Sequence, residues 1–182
     1  MKKFILIFIT TLFTSFCFGQ SENSNSKNKS EEKYPLDSSL FPFKFISRTE
    51  AEKILGHPAH VKDSLLKLTG SYLRSQFHYV TNLKDSAAGQ KGMLFFGFEQ
   101  FQQTSEAERA YAEIKTENEK TSVVNKLVEM GDEGFLVRDQ LNFPFIMIRK
   151  NNRIFKLKTY NIKSEDSFNE LQLIAKKIVS AY

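Results

Sequence analysis

Apolar and polar positions divide the chain into blocks before any chemistry is considered. The first apolar block, residues 4–13 of MKKFILIFITTLFTSFCFGQ, is about ten residues long and follows Lys2 and Lys3. That is too short for a membrane-spanning helix and fits the core of a secretory leader. Residues 20–33, QSENSNSKNKSEEK, hold no apolar side chain and read as a disordered tether. Order is expected to begin over 34–46, where Leu36, Leu40, Phe41, Phe43, Phe45 and Ile46 return. Pro35 and Pro42 argue against a regular central strand there.

A helix follows. Ser47 and Glu50 have the spacing of a capping box, in which each side chain satisfies a free backbone N–H. Ala51, Ile54 and Leu55 then form one apolar face, Gly56 stops the helix and Pro58 prevents its continuation. The stretch GHPAH, residues 56–60, therefore reads as a helix exit. Aromatic-rich segments 72–81 and 93–101 predict two strands joined by the hairpin loop LKDSAAGQKG. Ser105 and Glu108 predict a second capped helix with Ala107, Ala110, Tyr111 and Ile114 on one face.

After the polar break TENEKTS, four strands are expected over 123–130, 135–139, 143–150 and 153–160. The turns fall at Gly131-Asp132-Glu133-Gly134 and at Asn151-Asn152, the latter tolerating the positive φ a two-residue hairpin needs. A last helix over about 165–181 carries Phe168, Leu171, Ile174, Ala175 and Ile178 inward. Its Lys176 and Lys177 lie near the negative end of the dipole. Strands that are grouped rather than alternated with helices predict an α+β fold. The expectation is one domain over 34–182, an antiparallel sheet of about six strands with helices packed mainly on one face.

Gly19, preceded by Cys17 two places upstream, supplies a small residue for leader cleavage before Gln20. A second reading has Cys17 acylated as a lipoprotein anchor, against which stands the bulky Phe16 just before it. Periplasmic or secreted localisation is therefore expected, with a membrane partner only if Cys17 is acylated. Cys17 is the sole cysteine, so the chain beyond the leader has neither disulfide nor thiol nucleophile. Without Lys2 and Lys3 there remain 24 basic against 21 acidic residues, about +3. That mild, dispersed excess does not form the basic stripe of a nucleic-acid binder.

Five stretches carry a resemblance: TEAEKILG, a strand ending FHY, SEAERAYAEI, VEMGDEGFLVRD and FIMIRKNNRIFKLKTY. Together they resemble a broad class of small exported bacterial domains with an E-A-x-x-I-L-G helix and a late G-D-E-A-[FY] hairpin. That class includes uncharacterised lipoproteins and is similar to the extracellular sensor domains of some actinobacterial serine/threonine kinases. The chain departs from it at Gly134, where alanine is usual, and at Phe77-His78-Tyr79, where a cysteine often precedes the tyrosine. The resemblance implies binding or sensing and brings no catalytic residues.

Three candidate chemistries follow from the residues themselves. His57, His60 and His78 supply enough imidazoles for a metal or small-ligand carrier, but no short metal motif accompanies them, and imidazoles near a helix C-terminus have an ordinary electrostatic role. Asp132 and Glu133 are adjacent, so on a strand they point to opposite faces and cannot form a facing acid/base pair. No G-x-S-x-G or other nucleophile pattern occurs, and no motif implies a cofactor.

The last hairpin is the most informative surface. Its pairing predicts a core face of Ile146, Ile148, Phe155 and Leu157. The opposite face holds Phe145, Met147, Arg149, Ile154, Lys156 and Lys158, apolar anchors beside three cations, suited to an anionic or amphipathic partner unless the terminal helix or the N-terminal segment covers the apolar half and leaves the lysines as a solvated rim. The expected function is a non-enzymatic binding or interaction domain of the cell envelope. Its partner would be a protein, an envelope polymer or a lipid, and not nucleic acid.

Overall fold

The computed structural model describes residues 45–70, 72–84, 89–127, 129–139, 141–162 and 164–182, all within one compact unit. The expected leader, the tether, residues 34–44 and the centre of the first hairpin loop lie outside the described residues. The elements run α1 (Arg48–Leu55), β1 (Ala59–Thr69), β2 (Tyr72–Lys84), β3 (Lys91–Gln100), α2 (Thr104–Glu119), β4 (Asn125–Lys126), β5 (Glu133–Arg138), β6 (Pro144–Lys150), β7 (Arg153–Tyr160) and α3 (Glu165–Ser180).

One antiparallel sheet of seven strands has the order β1-β2-β3-β7-β6-β5-β4. The α+β class is as expected, and the additional strand is β1. It escapes a period-two reading because a bulge at Lys62 reverses its parity. Val61, before the bulge, lies opposite Tyr79, while Leu66 and Leu68, beyond it, lie opposite Ser75 and Leu73 on that same face. His60 is thus a strand residue, not part of the helix exit.

The expected α1 caps are both present. The Ser47 N–H donates to Glu50 Oε2 at 2.8 Å, Glu50 N–H donates to Ser47 Oγ at 3.3 Å, and Gly56 ends the helix with φ 68°. The α2 cap lies two residues earlier than expected, where the Gln103 N–H donates to Glu106 at 3.1 Å. Glu108, expected to close a box with Ser105, sits further into the helix and turns toward Arg149 instead. The strand expected over 123–130 shrinks to two residues, because Glu129 and Gly131 take positive φ and turn the chain out of the sheet.

The two sheet faces carry different cores. On one, α1 and α3 cover Phe77, Phe96, Phe98, Ile146, Ile148, Phe155 and Leu157, all fully buried. Burying such a side chain contributes about 1.5–3 kcal/mol. Phe45 seals this layer, its ring centroid 4.9 Å from Phe96, 5.0 Å from Phe98 and 5.6 Å from Tyr182. Opposite it, Ala107 and Tyr111 of α2 pack on Phe135, Val137, Met147 and Ile154. Two helices therefore share one face, and the third covers part of the other. No helix among the described residues is long and apolar enough to cross a membrane.

Candidate functional site

The β6–β7 hairpin has the expected register. Lys150 pairs with Arg153 across Asn151-Asn152, and Ile148 and Ile146 pair with Phe155 and Leu157. Only Asn151 of the turn takes positive φ, at 53°. Asn152 is buried and ties the turn to β3, its carbonyl accepting from Phe101 N–H at 2.9 Å.

The opposite face of this hairpin is not the open surface that was expected. Met147 and Ile154 are fully buried beneath α2, so neither is available to a partner. Arg149, its side chain only 8% exposed, donates to Asp132 at 3.0 Å and Glu133 at 3.3 Å, with Glu108 at 3.9 Å. Lys156 is 2.9 Å from Glu99, and Lys158 is 3.1 Å from Asp139 and 4.7 Å above the Tyr160 ring. Phe145 packs edge-on against Phe135. The three cations are thus neutralised internally, and an anion would have to displace carboxylates already in place.

The Asp132-Glu133 pair serves this arrangement as a turn. Asp132 also accepts from the Asn151 N–H at 2.6 Å, locking one turn against the next. Gly131 has φ 72°, and a Cβ there would stand 2.4 Å from the Arg149 carbonyl oxygen, so the position demands glycine on both counts.

The three histidines do not converge. His60 Nδ1 pairs with Asn82 Oδ1 at 2.7 Å, and His78 Nδ1 pairs with Asp63. His57 stays in the exit loop of α1. Among the described residues no group of three or more His, Cys, Asp or Glu side chains could hold a metal ion. The loop itself is fixed by Glu52, which accepts from the Ala59 N–H at 3.1 Å and from Arg48 at 2.9 Å; these bonds hold its carboxyl below the ordinary value.

What the described helices leave open is the rest of the α2 face. α2 packs over β6 and β7, and no described helix packs on this face of β1, β2 and β3. By register it carries Asp63, Leu65 and Lys67 on β1, Arg74, Gln76 and His78 on β2, Met93, Phe95, Gly97 and Glu99 on β3, and Lys156, Lys158 and Tyr160 on β7. Phe95 packs against His78 with centroids 5.1 Å apart and the ring planes tilted by 43°. Its ring leans over Gly97, where an added Cβ would meet Phe95 Cζ at 3.0 Å. The missing side chain at Gly97 lets the ring lie along the sheet.

Most charges on this platform are paired, and Lys67, with no ion pair among the described residues, leaves a small positive excess. Glu99, with only 10% of its side chain exposed, sits between Lys156 and, at 3.8 Å, Arg74. Beside it the Tyr72 hydroxyl is pushed up, by burial first and by Glu99 second, and so stays protonated. Sequence reasoning missed Asp63 and Leu65 because β1 itself was missed. The available signal was Gly70-Ser71, a two-residue hairpin pair between two segments with apolar positions.

The clefts are less suited to a ligand. One of about 350 Å³ between α2 and β4–β5 is lined by Tyr111, Lys115, Glu119, Lys126, Glu133 and Phe135. Another of about 330 Å³ holds Glu129, Asp132, Lys150 and Lys176 around Met130 and Val179. Both have charged linings, whereas small-molecule sites are mostly apolar with a few placed polar groups. In the first, burial and then Glu133 push the Tyr111 hydroxyl up to about 12. No protein-family model, curated protein or solved structure matches the chain.

Proposed function

We propose that the chain is an exported, non-enzymatic binding domain of a bacterial cell envelope, and that its partner lies across the open half of the α2 face. The single observation that carries this reading is the platform of β1, β2, β3 and β7 that no described helix covers. There aromatic rings, an amide and mostly paired charges share one surface. Such a surface offers apolar contact and hydrogen bonding with a small positive excess, which suits an amphipathic partner. The leader-like residues 1–19 support export.

A non-catalytic role is supported by the surroundings of the one imidazole–carboxylate pair on the platform. Beside His78 and Asp63, the next same-face positions are Gln76 and Leu65, neither of them a nucleophile.

The test is site-specific photo-crosslinking in the expressing cell. A photoreactive residue at Gln76, on the platform, should give a discrete adduct. The same group at Glu113, exposed on α2, should not. Equal adducts from both positions, or none from Gln76, would remove the platform from consideration.

A further inference from the structure

β1 forms one edge of the sheet, and among the described strands only β2 pairs with it. An edge strand presents a row of unpaired N–H and C=O groups, which proteins guard with charges, bulges or brevity. The bulge at Lys62 guards one end here, yet from Asp63 to Thr69 the strand runs in unbroken register. Leu65, Leu66 and Leu68 are 44%, 43% and 54% exposed on that stretch. Of the seven large exposed apolar residues among those described, three thus fall within four consecutive positions.

We propose that β1 pairs antiparallel with β1 of a second copy of this chain, about a two-fold axis normal to the sheet through Leu65. Residues opposite one another in such a pairing share a face. Asp63, Leu65 and Lys67 lie on the α2 face, opposite His78, Gln76 and Arg74, while Ser64 and Leu66 lie on the other. The axis sets Leu65 against Leu65 of the second copy, Asp63 against Lys67, Lys67 against Asp63, and Leu66 against Ser64. Two opposite-charge pairs then flank a central apolar pair, each a stabilising cross-strand neighbour.

A shift of two residues in either direction sets Lys67 or Asp63 against Leu65 and loses both charge pairs, so the sequence selects this register. Both charged groups are exposed enough to engage, Asp63 sharing its carboxylate with His78. Lys67 makes no ion pair among the described residues, and the Asp63 side chain is 54% exposed beside His78. The self-complementary charge order favours a second copy over an unrelated extended peptide. This inference goes beyond the proposed binding role and stands without it. Because the axis is normal to the sheet, both open platforms would lie on one side as a single surface.

A ladder of this length buries little area and holds weakly. The test is sedimentation velocity on the full chain expressed with its leader, from about 10 μM to about 1 mM. The sedimentation coefficient should rise toward that of a dimer. Asp63→Lys and Lys67→Asp should each keep the chain monomeric through like-charge contact, and an equimolar mixture of the two should recover association. Because Asp63→Lys also loses His78, a second measurement is independent of charge: Leu65→Cys should give an oxidised inter-copy disulfide, and Leu68→Cys should not. A chain that stays monomeric throughout with no Leu65→Cys disulfide overturns the proposal, as does a dimer that Lys67→Asp leaves intact.

Discussion

Asp132 and Arg149 hold one another twice. The Asp132 N–H donates to the Arg149 carbonyl at 2.9 Å, and Arg149 Nη1 donates back to the Asp132 carboxylate at 3.0 Å. The GDEG turn and the last hairpin are therefore one unit, and the guanidinium at its centre is structural rather than a docking group.

Gly131 should be the most sensitive position of that unit. Gly131→Ala should cost at least about 2 kcal/mol, since the backbone is left-handed and the obstructing atom is a carbonyl oxygen. Asp132→Ala should cost about 1–2 kcal/mol, because Glu133 still holds Arg149. Urea unfolding midpoints would rank the two, and the reverse order would show that the side-chain bond dominates.

Lys156→Glu places a second carboxylate beside Glu99, with most of both side chains covered. It should cost about 2–4 kcal/mol, a fall in Tm of roughly 5–12 °C. Lys156→Met should cost less, because Arg74 still faces Glu99. Equal melting of the wild type and the glutamate variant would mean that Lys156 is free and open to an anionic partner after all.

Glu50 gives the fold an acid limit. Burial raises its carboxyl, but the Lys177 and Ser47 hydrogen bonds outweigh that and leave it below its ordinary value of 4.5. A carboxylate lowered on folding contributes fully above about pH 4.5, and its contribution is lost as the pH falls through the folded value. Glu50→Gln should therefore cost about 1 kcal/mol at neutral pH. The gap between wild type and variant should close below pH 4.5 in midpoints measured from pH 7 to pH 3. A gap independent of pH would assign the cost to packing alone.

Tyr182→Ala should cost about 1–3 kcal/mol. The ring packs on Phe45, Phe98 and Phe155, and the Arg153 guanidinium lies 5.1 Å from its centre. Loss of Tm without loss of helix content would be the signature. An unchanged Tm would show that α3 alone holds the layer.

Phe95→Ala, on the half-exposed platform, should change stability by no more than about 1 kcal/mol and yet diminish the Gln76 adduct. A large loss of stability would instead make the ring a core element.

Much of this fold is legible because its signals are local. The Ser47–Glu50 box, the Gly56 stop and the Asn151-Asn152 turn each act within a few residues, and all three lie where the sequence places them. The inward face of Ile146, Ile148, Phe155 and Leu157 follows from period two alone. The hairpin's other face is covered by a different element from those the sequence suggests, because its cover comes from a distance. Nothing within 144–160 indicates that α2 would lie on Met147 and Ile154, or that Glu99 and Asp139 would neutralise Lys156 and Lys158. β1 was illegible for a different reason, since one bulged residue turns an alternating strand into an aperiodic string.

The strand order also has a consequence for synthesis. β3 pairs with β2 on one side and with β7 on the other, so the middle of the sheet joins residues 91–100 to residues 153–160. A ribosome delivers β1, β2 and β3 well before β7 exists. Until then Phe77, Phe96 and Phe98 have neither α3 above them nor a strand beyond β3, and α1 has only part of its seat. Long-range pairings close slowly, and partly formed sheets with a free inner edge are the species that aggregate. The chain therefore remains unfinished until residues 153–182 are available to it, on whichever side of a membrane it folds, and that interval is its vulnerable one.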